Sequence, residues 1–176
     1  MAQAADRVLS ELESRSRGVG LSLTLDERYT PPNEKLTALW NRYRQLSEEL
    51  TTTAAEHSPR EPHRQVMLAI AGRVEATRQR DADLAYGVPQ ELIEDLKIVQ
   101  TSLAEAGAQR AAYGDLQELI WQVETFGFHL AELEVRQHAA VHSQTLEWLN
   151  DPEGYEAAGK KMAVPGEEVL ETFRAI

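Results

Sequence analysis

The sequence predicts a mainly α-helical fold for this chain of 176 residues. Apolar residues recur at alternating spacings of three and four along most of its length, which is the period of one face of a helix. Proline and glycine interrupt these patterns where helices would begin and end. Leu and Ala dominate a hydrophobic fraction of 42%, whereas aromatic residues make up only 6%. A chain of this size and composition is expected to fold as one unit, or at most two small ones, with a buried core, and residues 1–176 are taken as a single fragment.

The first predicted helix covers residues 2–17 and is broken by Gly18 and Gly20. Residues 21–30 alternate only weakly in hydropathy and lead into a pair of prolines, so we expect a surface loop there. The prolines cannot continue a helix, and the next one therefore starts after them.

Asn33 is a good N-cap for a long second helix, in which apolar residues run from Leu36 to Leu50 with Trp40 beside them. This seam suits the packing of a neighbouring helix.

Three further helices are predicted from start and stop signals. Two of them show the spacing of a capping box, in which the N-cap side chain and a Glu three residues later bond each other's backbone N–H groups. Proline in the first turn favours a helix start, and glycine favours a helix end. The predicted segments are a helix from Pro62 to about Arg80 after the Ser58–Glu61 box, a helix from Pro89 to Gly107, and a helix with the Asp115–Glu118 box after Gly114.

Residues 132–136 leave strand and helix equally open. Strict alternation would place Glu132, Glu134 and Arg136 on one face of a strand. The same segment is also rich in good helix formers, so residue physics alone does not decide between the two.

The remainder is predicted as a helix over residues 139–149, a turn at residues 150–153 and a last helix from Pro165. That helix stops at Ile176 without a capping residue, and the first helix begins almost at once. We therefore expect both ends to be cut from a longer chain.

Composition and charge exclude several classes of protein. Eighteen Lys and Arg residues against 29 Asp and Glu residues give a formal charge of −11, which disfavours nucleic acid or an anionic membrane as a partner. The chain has no cysteine, so disulfides and thiolate chemistry are excluded. No apolar run approaches the length needed to cross a membrane, and no signal peptide is recognisable. The sequence thus predicts an acidic, cytoplasmic protein.

Two clusters could carry chemistry, although each also has a simpler interpretation. His138 and His142 would share one face of a helix and could bind a metal, but two packing or surface histidines are favoured. Glu124, Glu132 and Glu134 could act as paired carboxylates, yet such a density of Glu is typical of a solvated face.

Arg136 is the strongest single candidate. On a strand it would share a face with two glutamates, where its guanidinium is either neutralised or held ready for an anion. A structural ion pair is the favoured interpretation from the residues alone. Trp40, Trp121 and Trp148 lie at helical core spacing and are expected to be buried.

Several short motifs, in order and at matching spacing, resemble the phosphoenolpyruvate carboxylase family over most of the chain. The strongest is Phe-Gly followed by hydrophobic-acidic-hydrophobic-Arg-Gln and a His. The matching residues are Phe126-Gly127, Leu133-Glu134-Val135-Arg136-Gln137 and His142, with Glu61-Pro62-His63-Arg64, Met67, Arg73, Ala76-Thr77 and Gly114-Asp115-Leu116 upstream. The segment Glu61-Pro62-His63-Arg64 is similar to the family's Glu-Pro-Tyr-Arg. The chain departs from the family where Glu134 replaces Asp and Ala139 replaces Ser.

The resemblance implies a fold, a reaction and a role for Arg136. The family adds bicarbonate to phosphoenolpyruvate through carboxyphosphate and an enolate, yielding oxaloacetate and phosphate, with Mg²⁺ or Mn²⁺ as cofactor. Arg136 would be the catalytic residue that holds the substrate phosphate from a barrel strand, which favours one or two short strands near residues 130–136. The chain would then be a helical, bundle-like piece of the family's larger α/β barrel-type fold.

The family is several times longer than this chain, and its metal ligands, Gly-rich phosphate loop and effector site have no counterpart here. We therefore expect an internal fragment of a bacterial-type enzyme that is inactive in isolation and normally joins the remainder of a homo-oligomeric, tetrameric enzyme. The alternative is a free-standing helical interaction module without catalytic activity, whose partner would bind the seam from Leu36 to Leu50.

Overall fold

The computed structural model of the chain describes residues 2–129, 139–162 and 164–175. These residues form helices joined by turns and loops, with no strand among them. The mainly helical prediction is confirmed. The short strands that we predicted near residues 130–136 fall outside the described residues.

The chain divides into two compact units, Ala2–Glu132 and Leu133–Ile176. The helices of the first unit are α1 (Ala2–Ser22), α2 (Glu34–Leu46), α3 (Glu48–His57), α4 (Pro62–Gln79), α5 (Pro89–Glu105), α6 (Gln109–Ala112) and α7 (Asp115–Phe126). The helices of the second unit are α8 (Ala139–Asn150), α9 (Pro152–Ala157) and α10 (Gly166–Ala175).

Helix α4 lies at the centre of the first unit. Helices α1, α2, α3 and α5 pack against it. Its buried side chains, including Val66, Met67, Ile70 and Val74, point to several sides of the helix. A helix that is apolar on most of its surface needs such neighbours to cover it. Helix α5 also packs on α6 and α7, which continues the same core.

The seam of the second predicted helix belongs to this core. Leu36, Leu39 and Tyr43 are buried within the first unit, whereas Leu46 is 42% exposed. The buried part of the seam is therefore covered by the chain itself and is not a free surface for a partner.

Helix α1 runs through both glycines to Ser22, so the predicted break was wrong. A Cβ atom on Gly20 would lie 3.1 Å from the Cβ of Met67, whereas Gly18 has no other atom within 4 Å of that position. Gly20 thus allows α1 to approach α4 closely. This packing outweighs the helix propensity that a glycine loses, about 1 kcal/mol.

The long second helix is instead two helices that meet at Ser47. The Ser47 N–H donates to the carbonyl of Tyr43 over 3.0 Å, and its Oγ accepts the N–H of Leu50 over 3.2 Å. One residue therefore ends α2 and caps α3. The N-cap prediction at Asn33 is confirmed, because its Oδ1 accepts the N–H of Leu36 at 2.8 Å.

Both predicted capping boxes were wrong, although the helices begin close to the expected positions. The N-cap of α4 is Glu61, whose N–H donates to the backbone oxygen of Ser58 over 3.1 Å. The N-cap of α7 is Gly114, and Asp115 is already helical. Neither start has a side-chain cap. Pro62 stands in the first turn of α4 as predicted, where its missing N–H costs nothing.

The second unit contains a small core. Helix α8 matches the predicted helix, and α8 packs against α9 and α10. The predicted turn at residues 150–153 is the start of α9, where Asp151 Oδ1 accepts the N–H of Gly154 at 3.0 Å. Thr145, Tyr155 and Val169 are buried.

Candidate functional site

A buried carboxylate, Asp95 on α5, is the most elaborate polar centre of the first unit. It is 3% exposed and accepts hydrogen bonds from the hydroxyls of Tyr43 and Tyr86. Arg73 Nη1 lies 3.2 Å from its Oδ2, and the partly exposed Arg42 binds Oδ1. We call these five residues the Asp95 cluster. They join α2, α4, α5 and the loop before α5.

The protonation states of the cluster follow from burial. Desolvation raises the pKa of Tyr43 and of Tyr86, and the negative charge of Asp95 raises both further. Both phenols therefore remain protonated donors at neutral pH. The Arg73 guanidinium lies 3.8 Å from the ring centroid of Tyr86 and donates from Nε to the carbonyl of Leu84 at 3.0 Å. The cluster thus fixes the loop as well as the helices.

Sequence reasoning missed this cluster, although one signal was present. Asp95 lies between Leu92, Leu96 and Val99, at helical spacing on an apolar stripe, where a charge is rare unless it is paired. Its partners are too distant in the sequence for any spacing rule to connect them.

A second polar contact joins His63 on α4 to Ser102 on α5. His63 Nε2 lies 2.9 Å from Ser102 Oγ, and both side chains are 0% exposed. Nucleophilic catalysis also requires a group that orients the second ring nitrogen and a route for substrate. His63 Nδ1 has no hydrogen-bond partner in the described part of the chain. Because the pair is also sealed from solvent, it is a packing contact and not a catalytic dyad.

The motifs of the resemblance have structural roles where they are described. Arg64 donates from Nε to the carbonyl of Gly20 at 3.2 Å and also bonds the carbonyl of Leu21, which caps the end of α1. Its Nη1 pairs with Glu61 at 2.6 Å. The Glu-Pro-His-Arg segment therefore fastens α1 to the start of α4.

The Phe-Gly motif ends α7 in a tightly constrained turn. Gly127 adopts φ +56° and ψ −133°, a conformation that favours glycine. A Cβ atom there would also lie 3.2 Å from the ring of Pro89. Phe128 is buried at 8% exposure, whereas Phe126 is 49% exposed. Glycine at position 127 is therefore required by both conformation and space.

The sequence-predicted site residues do not form one described cluster. Arg136, His138, Glu132 and Glu134 lie outside the described residues. Glu124 pairs with Lys97 at 2.7 Å.

His142 and Trp121 both lie in the described part of the chain. The ring of His142 packs edge-on against Phe173, with 5.4 Å between centroids, as a packing histidine would. Trp121 is 59% exposed, so its predicted burial was wrong. It lies on the solvent side of α7, whose opposite side carries the buried residues Leu116, Ile120 and Val123.

The family's cofactor, Mg²⁺ or Mn²⁺, needs several oxygen ligands that converge on one point. Over residues 2–129, 139–162 and 164–175, no three His, Asp or Glu side chains converge in a way that could hold a metal ion. The buried carboxylate Asp95 is occupied by cationic and hydroxyl donors. The described residues therefore do not fit the metal.

These features define a helical structural segment, stabilised by a buried ion-pair cluster. Across the described residues, no helix is both long enough and apolar enough to cross a membrane. A family model for phosphoenolpyruvate carboxylase matches residues 1–162. The chain belongs to the phosphoenolpyruvate carboxylase family. Among curated proteins, none matched the chain.

Proposed function

We propose that this chain is a piece of a phosphoenolpyruvate carboxylase, and that it contributes Arg136 to the grip on the substrate phosphate. The observation that carries the proposal is the family match, which includes position 136. In the proposed reaction, a bicarbonate oxygen attacks the phosphorus of phosphoenolpyruvate, which gives carboxyphosphate and the enolate of pyruvate. The enolate carbon then bonds to the carboxyl carbon, and phosphate leaves with the formation of oxaloacetate.

Arginine suits this role because its planar guanidinium can donate two parallel hydrogen bonds to one phosphate. It would balance the negative charge on the phosphoryl oxygens as the carbon–oxygen bond to phosphorus breaks. The remaining groups, including the ligands of the divalent metal, would come from other parts of a cytoplasmic, tetrameric enzyme. Alone, the chain would lack most of the interactions that stabilise the transition state, so we propose that it is inactive.

An assay of the purified chain tests the proposed inactivity. Bicarbonate-dependent formation of oxaloacetate is followed by NADH oxidation in a coupled reduction, with Mg²⁺ or Mn²⁺ present. We expect no turnover above the coupling enzyme alone. Measurable turnover would refute this part of the proposal.

The role of Arg136 is tested in the intact carboxylase that carries this segment. Arg136→Gln should raise the KM for phosphoenolpyruvate and lower kcat, whereas Arg136→Lys should restore only part of the loss because lysine cannot bind phosphate through a planar fork. Arg7→Gln, at an exposed position on α1, is the matched control and should leave both constants unchanged. Equal kinetics for the two glutamine variants would exclude Arg136 from the site.

A further inference from the structure

His63 is a titratable side chain with 0% exposure. It lies at the start of α4, where Ser102 on α5 contacts its Nε2 and where Nδ1 has no partner among the described residues. Ser102 Oγ also accepts the backbone N–H of Asn33 at 3.0 Å. Asn33 Nδ2 in turn donates to Glu105 Oε2 at 2.7 Å. We call these four residues the His63 joint.

The His63 joint holds the beginning of α2 against α5. Asn33 is the N-cap of α2, and both Ser102 and Glu105 belong to the last turns of α5. His63 brings α4 into the same network. Loss of the Ser102 contact would therefore affect three helices at once.

When the His63 joint is intact, no described group offers a protonated His63 an opposite charge or an acceptor for its Nδ1–H. Within the described part of the chain, the neutral ring already leaves Nδ1 unpaired. The imidazolium would add a second N–H donor and a full charge at a side chain with 0% exposure. Two charged residues lie close to His63 in the sequence, Glu61 at the N-cap of α4 and Arg64 in the first turn of α4, and they are paired with each other at 2.6 Å.

Among the described residues, no other element supplies a counter-charge to His63. Across the joint, Glu105 is engaged by Asn33, and in the loop that precedes α2, Asp26 is bonded by Arg28 at 2.9 Å and lies 3.5 Å from Arg60. Burial alone lowers the pKa of His63 to about 4, and no charged group of α1, α2, α3 or α5 contributes to that shift within the described ranges.

We propose that the His63 joint is a pH-sensitive latch, in which protonation of the imidazole favours a locally open state that releases the start of α2 from α5. The open state exposes His63 to water, where the ring takes up a proton at its ordinary affinity. The latch is independent of the role proposed for Arg136.

The direction of the pH effect follows from proton linkage. The closed state binds its proton only near pH 4, whereas an exposed histidine does so near pH 6.5. Between these values the open state carries up to one more proton than the closed state, so the ratio of open to closed states rises by less than about tenfold for each unit by which the pH falls. Above about pH 6.5 that ratio no longer depends on His63.

Amide hydrogen exchange on the whole chain measures this opening. Exchange in residues 33–46 is recorded between pH 7 and pH 5 and corrected for the intrinsic pH dependence of exchange, with residues 115–126 of α7 as the internal reference. In the wild-type chain, the opening of residues 33–46 should increase about sevenfold from pH 6 to pH 5, beyond any change in α7.

His63→Gln is the central variant, because glutamine can still bond Ser102 and does not titrate. The His63→Gln variant should therefore lose the rise in opening of residues 33–46 at low pH that exceeds the change in α7. His129→Gln, at an exposed histidine, should retain it. Equal pH slopes in wild type and His63→Gln would overturn the proposal.

A second measurement keeps the proposal testable if His63→Gln fails to fold. The pH titration of the ¹³Cε1–H signal of His63 in the wild-type chain reports its protonation directly. The latch requires a midpoint well below the ordinary histidine value of about 6.5. A midpoint near 6.5 with the fold intact would show that the closed joint tolerates the charge, and would overturn the proposal.

Discussion

Replacement of Asp95 by asparagine tests how strongly the Asp95 cluster holds the first unit together. Asparagine keeps the shape of the side chain but removes the charge that faces Arg73. The side chains of Asp95 and Arg73 are only 4% and 12% exposed, so water cannot replace the lost partner. Removal of one member of a buried ion pair costs about 3–5 kcal/mol. Loss of the ion pair between Asp95 and Arg42 should add little to this cost in free energy, because the Arg42 side chain is 60% exposed.

The expected loss is therefore about 3–5 kcal/mol in the free energy of unfolding, measured by urea denaturation followed by circular dichroism. A loss of about 3 kcal/mol would lower Tm by roughly 6–12 °C for a chain of this size. Glu94→Gln is the matched control, since Glu94 is the exposed neighbour of Asp95 on α5, and it should change stability by no more than about 0.5 kcal/mol. A result for Asp95→Asn within 1 kcal/mol of that control would refute the reasoning.

The remaining predictions concern helix starts and close approaches, and each is measured by the same denaturation. Gly18→Ala should stabilise the chain by about 0.5–1 kcal/mol, because alanine favours the helix and its Cβ would meet no atom within 4 Å. Gly20→Ala should destabilise it by about 1–3 kcal/mol, because its Cβ would press on Met67; effects of the same sign at the two glycines would contradict the packing of α1 on α4. Ser47→Ala should cost about 1 kcal/mol, because it leaves the N–H of Leu50 uncapped; an unchanged midpoint would show that the cap contributes nothing.

The helix starts show where local signals were sufficient. Pro89 opens α5, Asn33 caps α2, and Gly107 follows the end of α5 with φ +82°, all as predicted. Each of these preferences arises within one turn of backbone, from a missing N–H, a short side-chain acceptor or the absence of a Cβ atom. The neighbouring helices do not alter them.

Sequence signals within one helical turn gave wrong predictions where continuing a helix and ending it are close in free energy. Ser47 was expected inside a helix, yet its hydroxyl can cap a new helix, and the tertiary packing selects that option. Gly20 was expected to end a helix, but the close approach of Met67 makes it a contact residue. The difference between these alternatives is about 1 kcal/mol, which packing easily exceeds.

Of the candidate functional residues, one was predicted from the sequence and the Asp95 cluster was not. The resemblance identified Arg136 as the proposed phosphate-binding residue, and this stays a prediction because the position lies outside the described residues. The Asp95 cluster could not be predicted, since Tyr43, Arg73 and Tyr86 approach Asp95 only after three helices and a loop have packed.

By itself, the sequence determined that this protein is helical, where most helices begin, and which family it resembles, because periodicity, capping and short motifs are written in neighbouring residues. Only the tertiary structure decided which charges are buried and which nitrogen of His63 is left without a partner among the described residues. A buried charge is stable only where donors converge on it from several helices, and that convergence is a property of the packed molecule rather than of any segment.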